Sequence, residues 1–70
     1  MGVRIHGPTL RRLRIEQGLT QLQLAATTGI NPTVLSRLER SERIGTPAQM
    51  KCLSDLFGVN VTELCGEEVA

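Results

Sequence analysis

Between Leu19 and Arg40 the chain reads LTQLQLAATTGINPTVLSRLER, and the punctuation of this stretch leaves it little conformational choice. Thr20 stands where a helix N-cap belongs, and Gln23, three residues on, completes the spacing of a capping box. Gly29 can close that helix in the left-handed conformation. Asn31 and Pro32 then start a new helix at once, an N-cap acceptor followed by a residue whose missing N–H is not needed in a first turn. Two short helices must therefore meet at a sharp corner, with Ile30 placed to plug the corner into a core.

The remaining segments carry the same kind of marks. Pro8 suits the first turn of a helix that runs to about Gln17 and stops at Gly18. At about 100° per residue, Leu10, Leu13, Arg14 and Gln17 share its inner face. In the second helix Leu24, Ala25 and Thr28 face one way, with Ala25 small enough for a close crossing. Leu35 and Leu38 form the inner face of the third, and Thr33, Ser36, Arg37 and Arg40 the opposite one. Thr46 and Pro47 open a fourth helix with Met50, Leu53, Ser54 and Phe57 inward, Cys52 on the far side and Leu56 on a flank. Gly58 ends it. Asn60 and Glu63 bracket the start of a last short helix whose one side carries Val61, Leu64 and Cys65. The tail GEEVA reads as frayed. No run alternates as a strand should. The expectation is an all-α, five-helix domain spanning residues 1–70, with a core over about 8–65 and short flexible ends.

Composition narrows the function. A chain of 70 residues has a thin stability margin, because it buries only about 60% of its unfolded surface. Charge is uneven: residues 1–43 carry a balance of +4 and residues 44–70 a balance of −3. A basic front and an acidic rear fit a chain that lays one side on a polyanion, although an ordinary solvated surface fits as well. Cys52 and Cys65 have no metal-ligand spacing and read as free thiols of a reducing cytosol. The opening MGVRIHGP lacks the apolar run of a signal peptide, and no segment is long enough to span a bilayer. His6 is the only histidine, and no nucleophile–base set, acid pair or phosphate-cradling glycine loop accompanies it, so no catalytic residue, metal or cofactor is expected.

Two helices joined at an angle by a short glycine-containing turn form the helix-turn-helix, whose second helix enters the DNA major groove. The segments LRRLRIEQGLTQLQLA, TGINPTVLSRLER and LSDLFGVNVTEL place caps, glycines and leucines in the order seen in one family. Residues Leu10–Leu64 resemble the lambda-repressor/Cro-like helix-turn-helix proteins, also called the XRE family. The resemblance implies that the helix beginning at Pro32 is the recognition helix, with base contacts from Pro32, Thr33, Ser36 and Arg37. Arginine can pair bidentately with guanine O6 and N7, and threonine can meet a base edge or a thymine methyl. Pro32 departs from the polar residue frequent at this position and offers only shape or apolar contact. Gln21 occupies the position that grips a phosphate at the start of the second helix, where free N–H groups favour an anion. Arg40, Arg43 and Arg11 or Arg12 are further candidates for phosphate contacts; a solvated surface role is the alternative for each.

The resemblance also implies a partly buried ion pair between Arg14 and Glu39, and dimerisation near the last helices. Leu56, Val61, Leu64 and Cys65 are the interface candidates, each equally suited to the core. The turn SERIG departs from the pattern twice: Ser41 stands where glycine is frequent, and Glu42 where a basic residue is common. The leading expectation is a cytoplasmic, sequence-specific regulator of transcription, a repressor in the first instance, encoded by a bacterium, phage or plasmid. It would bind a near-palindromic operator on double-stranded DNA as a homodimer. The alternative is a protein-interaction module, an antitoxin or accessory regulator of the same fold, whose main partner is another protein.

Overall fold

The computed structural model describes residues 2–65, so the GEEVA tail lies outside it. The order of elements is α1 Gly7–Glu16, α2 Gln21–Thr28, α3 Pro32–Glu39, α4 Pro47–Phe57 and α5 Val61–Cys65. Among the described residues there is no strand, only a single antiparallel bridge between Val3 and Gly45. The helices are short, and helices of eight residues have little stability alone; their ends are therefore closed by side chains. The Thr20 hydroxyl accepts from Gln23 N while the Gln23 side chain accepts from Thr20 N, at 3.0 and 2.8 Å. Thr46 and Gln49 repeat the device on α4 at 3.1 and 3.0 Å. Asn31 Oδ1 accepts from Thr33 N at 2.8 Å to open α3. The corner between α2 and α3 turns on Gly29, at φ +77°, a conformation that disfavours any residue with a Cβ.

Leu10, Leu24, Leu35, Leu38, Leu53 and Leu64 are fully buried, with Ile30, Met50 and Phe57 closing the core around them. Four features depart from the sequence reading. Gln17 does not join the inner face of α1: it is exposed as the C-cap, because the helix ends at Glu16 and the chain then turns at Gly18. Cys52 does not face away: α4 crosses α2, and the half-buried Cys52 thiol lies 3.8 Å from the carbonyl oxygen of Thr28. Leu64, a candidate for a dimer interface, is fully buried within the monomer and has no surface to offer a partner. Its carbonyl accepts from His6 N at 2.7 Å, which holds α5 beneath the amino-terminal segment.

That segment is the fourth departure, since the core begins at Ile5 rather than near residue 8. Ile5 is buried, and paired Val3–Gly45 hydrogen bonds of 2.9 Å in each direction pin the segment to the α3–α4 loop. Gly7 follows so closely on the end of α3 that an added Cβ would collide with the Glu39 carbonyl. Ser41 also acts here. It holds the left-handed conformation at φ +59° without being glycine, and its Oγ accepts from Gly7 N at 3.1 Å. The hydroxyl therefore satisfies an otherwise orphaned N–H at the start of α1, which offsets the backbone strain.

Between the helices sits one charged network. Arg14 on α1 donates through Nε and Nη2 to the two carboxylate oxygens of Glu39 on α3, at 2.6 and 3.2 Å. The arginine's remaining terminal nitrogen donates to the Leu19 carbonyl at 2.7 Å, and Gln21 Nε2 donates to Glu39 Oε1 at 3.1 Å. The side chain of Glu39 is only 3% exposed and that of Arg14 12%. A two-pronged pair of this kind has both the geometry and the dryness that make the loss of one partner expensive.

Three variants test these contacts. Glu39→Gln keeps the shape and removes the charge, leaving Arg14 buried without its counterion. It should lose about 3 kcal/mol in urea denaturation, and a wild-type midpoint would contradict this role. Ser41→Ala keeps the strain and drops the hydrogen bond, so it should melt several degrees lower, at roughly 4–8 °C per kcal/mol for a chain this size. Ser41→Gly relieves the strain while losing the bond and should stay within about 1 kcal/mol of wild type.

Candidate nucleic-acid interface

The division of α3 into two faces creates the site. Leu35 and Leu38 are fully buried and Glu39 is held by Arg14, so the helix has one rotational setting against α1 and α2. That setting leaves Pro32, Thr33, Arg37 and Arg40 exposed and Ser36 half-buried on the outside. The asymmetry is steric: an eight-residue helix with apolar groups at a three-residue interval buries one stripe and must expose the other. The outer stripe starts apolar and short at Pro32 and ends cationic at Arg37 and Arg40.

The arginines of the described residues divide into two groups. Arg14 is buried in the network with Glu39. Arg12 pairs with Glu16 at 3.1 Å on the α1 surface, and Arg40 with Glu42 at 3.2 Å beyond α3. Arg40 also donates to Ser36 Oγ at 2.8 Å, so the guanidinium bends back along the helix. The serine O–H stays available as a donor, since its oxygen is the accepting atom. Arg4, Arg11, Arg37 and Arg43 are exposed and make no ion pair among the described residues. Arg37 is thus the one cation on the outer face of α3 that no carboxylate of the described chain neutralises. Arg43 stands just beyond the helix, and Arg11 lines a groove on α1 with Pro8, Ile15 and the end of α3 at Glu39.

Gln21 is half-buried at the start of α2, with one amide proton committed to Glu39. An amide nitrogen carries two protons, so a second donor remains. Of the interface candidates, Leu56 and Val61 are 37% and 45% exposed, and Cys65 is half-buried against the core. One residue of this surface was missed by the sequence reading. Leu22 on α2 is 70% exposed, and it borders a shallow depression with Ala26 and Pro32 at the corner. A signal existed: Leu22 and Leu24 are two residues apart, so one helix cannot bury both on a single face. No helix of the described residues is long and apolar enough to cross a membrane.

Comparison with known proteins agrees with this architecture. A family model described as helix-turn-helix, HTH_3, matches residues 10–64. The chain is 40% identical over 58 residues to the HTH-type transcriptional regulator y4dJ of Sinorhizobium fredii, covering 83% of this chain and 75% of that one. It is 32% identical over 62 residues to the HTH-type transcriptional regulator RamB of Mycobacterium tuberculosis, covering 89% of this chain but spanning only 13% of RamB. Among solved structures, the restriction-modification controller protein C.AhdI of Aeromonas hydrophila superposes with a TM-score of 0.75 at 29% identity, over 83% of this chain and 88% of that one. The corner at Gly29, the capped helices on either side of it and the extent of these matches together show that the chain belongs to the HTH_3, or XRE-type, family of helix-turn-helix proteins.

Proposed function

We propose that this chain binds double-stranded DNA at particular sequences and regulates transcription, with α3 lying in the major groove. The observation that carries this reading is the outer face of α3. A rod fixed in one orientation presents Thr33, Ser36 and an uncompensated Arg37 to solvent, and the groove, about 12 Å wide, admits one helix with its side chains. In this reading Arg37 pairs with a guanine edge, while Thr33, Ser36 and Pro32 meet neighbouring bases. Gln21, Arg43, Arg40 and Arg11 hold phosphates, and these contacts set register and affinity without reading sequence. Gln21 couples the two tasks, because the carboxylate that positions α3 also orients its amide.

Binding as a homodimer, with Leu56 and Val61 at the contact, would place two recognition helices on half-sites about 34 Å apart. Whether such a protein represses or activates depends on where its operator lies relative to polymerase; repression by occupancy, in the cytoplasm, asks only that the operator be filled. The alternative, a module that binds another protein, is favoured by one observation: Glu42 neutralises Arg40 at the edge where phosphates would pass.

Selection of duplexes bound from a random pool separates the two. Enrichment of a near-palindrome is expected. Arg37→Ala should weaken binding to it by roughly 5- to 150-fold and relax preference at one position of each half-site. Arg43→Gln should weaken all sequences alike and lower the salt slope by about 1. No enrichment at about 50 mM salt, where the electrostatic contribution is large, would contradict DNA binding.

A further inference from the structure

Leu22 is the most exposed of the large apolar side chains in the described residues, at 70%, and nothing in the fold requires leucine there. Its surroundings give it a use. Leu22, Ala26 and Pro32 line, together with Asn31, one shallow depression where α2 meets the first turn of α3. Pro32 has no N–H to donate and, like Leu22 and Ala26, no polar side-chain atom. Asn31 is the one polar side chain of its lining, so this end of α3 carries a mostly apolar patch, contiguous with the polar stripe that begins at Thr33.

We infer that this patch recognises the C5-methyl group of a thymine, and that Leu22, a residue of α2, is a specificity determinant alongside the side chains of α3. The inference rests on the DNA-binding reading and adds a base identity to it. In the major groove the thymine methyl is the one apolar feature of the base edges, and apolar side chains are what recognise it. Position argues for a base edge as the occupant: Pro32 opens the helix that the proposed function lays in the groove, immediately before Thr33, so the patch adjoins the residues that would meet bases. Burial of a group as small as a methyl changes affinity by about three- to fivefold, enough to prefer thymine over cytosine at one position without dominating binding.

The test uses the full chain and the operator it selects. Each thymine is replaced in turn by deoxyuridine, which removes only the methyl, and affinity is measured by fluorescence anisotropy. One thymine in each half-site should show a three- to fivefold loss. Leu22→Ser, at an exposed position and so with an unchanged melting temperature, should lose a similar factor on the thymine operator and no longer distinguish deoxyuridine from thymidine there. Deoxyuridine tolerated at every position, or an undiminished methyl effect in Leu22→Ser, overturns the inference while leaving DNA binding standing. A changed sedimentation mass in Leu22→Ser with the methyl effect intact assigns the patch to a second copy and overturns it equally. If the wild-type chain selects no duplex at all, the DNA-binding reading falls first and the inference with it.

Discussion

The setting of α3 against the rest of the fold depends on one buried ion pair, Arg14 with Glu39. Two leucines fasten α3 to the core, but apolar contacts are not directional, and cores tolerate some sliding when volume is conserved. The bidentate contact between Arg14 and Glu39 has direction, since a planar fork meets a planar carboxylate in few ways. The same carboxylate receives the Gln21 amide, and the same guanidinium holds the Leu19 carbonyl. Four pieces of the chain are thus referred to one pair of charges: α1, the turn after it, the start of α2 and the end of α3. Burying two charges is costly, and an apolar pair could be as stable. What the charged pair adds is a fixed angle between the helix that would read and the helix end that would grip.

A second set of contacts braces the same carboxyl end of α3. The helix stops at Glu39, and Ser41 reverses the chain in a conformation glycine would adopt more easily. Its hydroxyl bonds to the first residue of α1, and the bridge between Val3 and Gly45 continues the same seam. The loop carrying Arg43 is consequently braced by the amino-terminal segment rather than left to move. The carboxyl end of α3 is therefore tied twice, to α1 through Arg14 and to the start of α1 through Ser41.

The helices and the corner were legible in the sequence because their signals are local. Thr20 with Gln23, Asn31 with Pro32, Thr46 with Gln49 and the glycine at 29 each act within three residues, and each cap forms. The inner faces of α3 and α4 were equally plain, because leucines at helical spacing have few other uses. What escaped depends on contacts between distant segments. Val3 and Ile5 are too few to read as a strand, and their burial comes from a loop forty residues away. Cys52 lies on the polar side of its own helix by periodicity, but a second helix crosses there. Leu64 could not be divided between core and interface without knowing that His6 reaches its carbonyl. At the candidate interface the identities of the outward residues were readable, whereas the pairing of Arg40 with Glu42 and the exposure of Leu22 beside Pro32 needed three dimensions.

The dependence of α3 on the buried pair is tested most directly by a double-mutant cycle with Arg14→Met, Glu39→Leu and both together, followed by urea denaturation. If the pair locks the helix, each single change strands a charge in the interior and loses about 3 kcal/mol, while the double variant loses far less than the sum, a coupling of about 2 kcal/mol or more. Losses that add to within about 0.5 kcal/mol would mean that the two side chains act independently, and that something other than this pair sets the angle of the recognition helix.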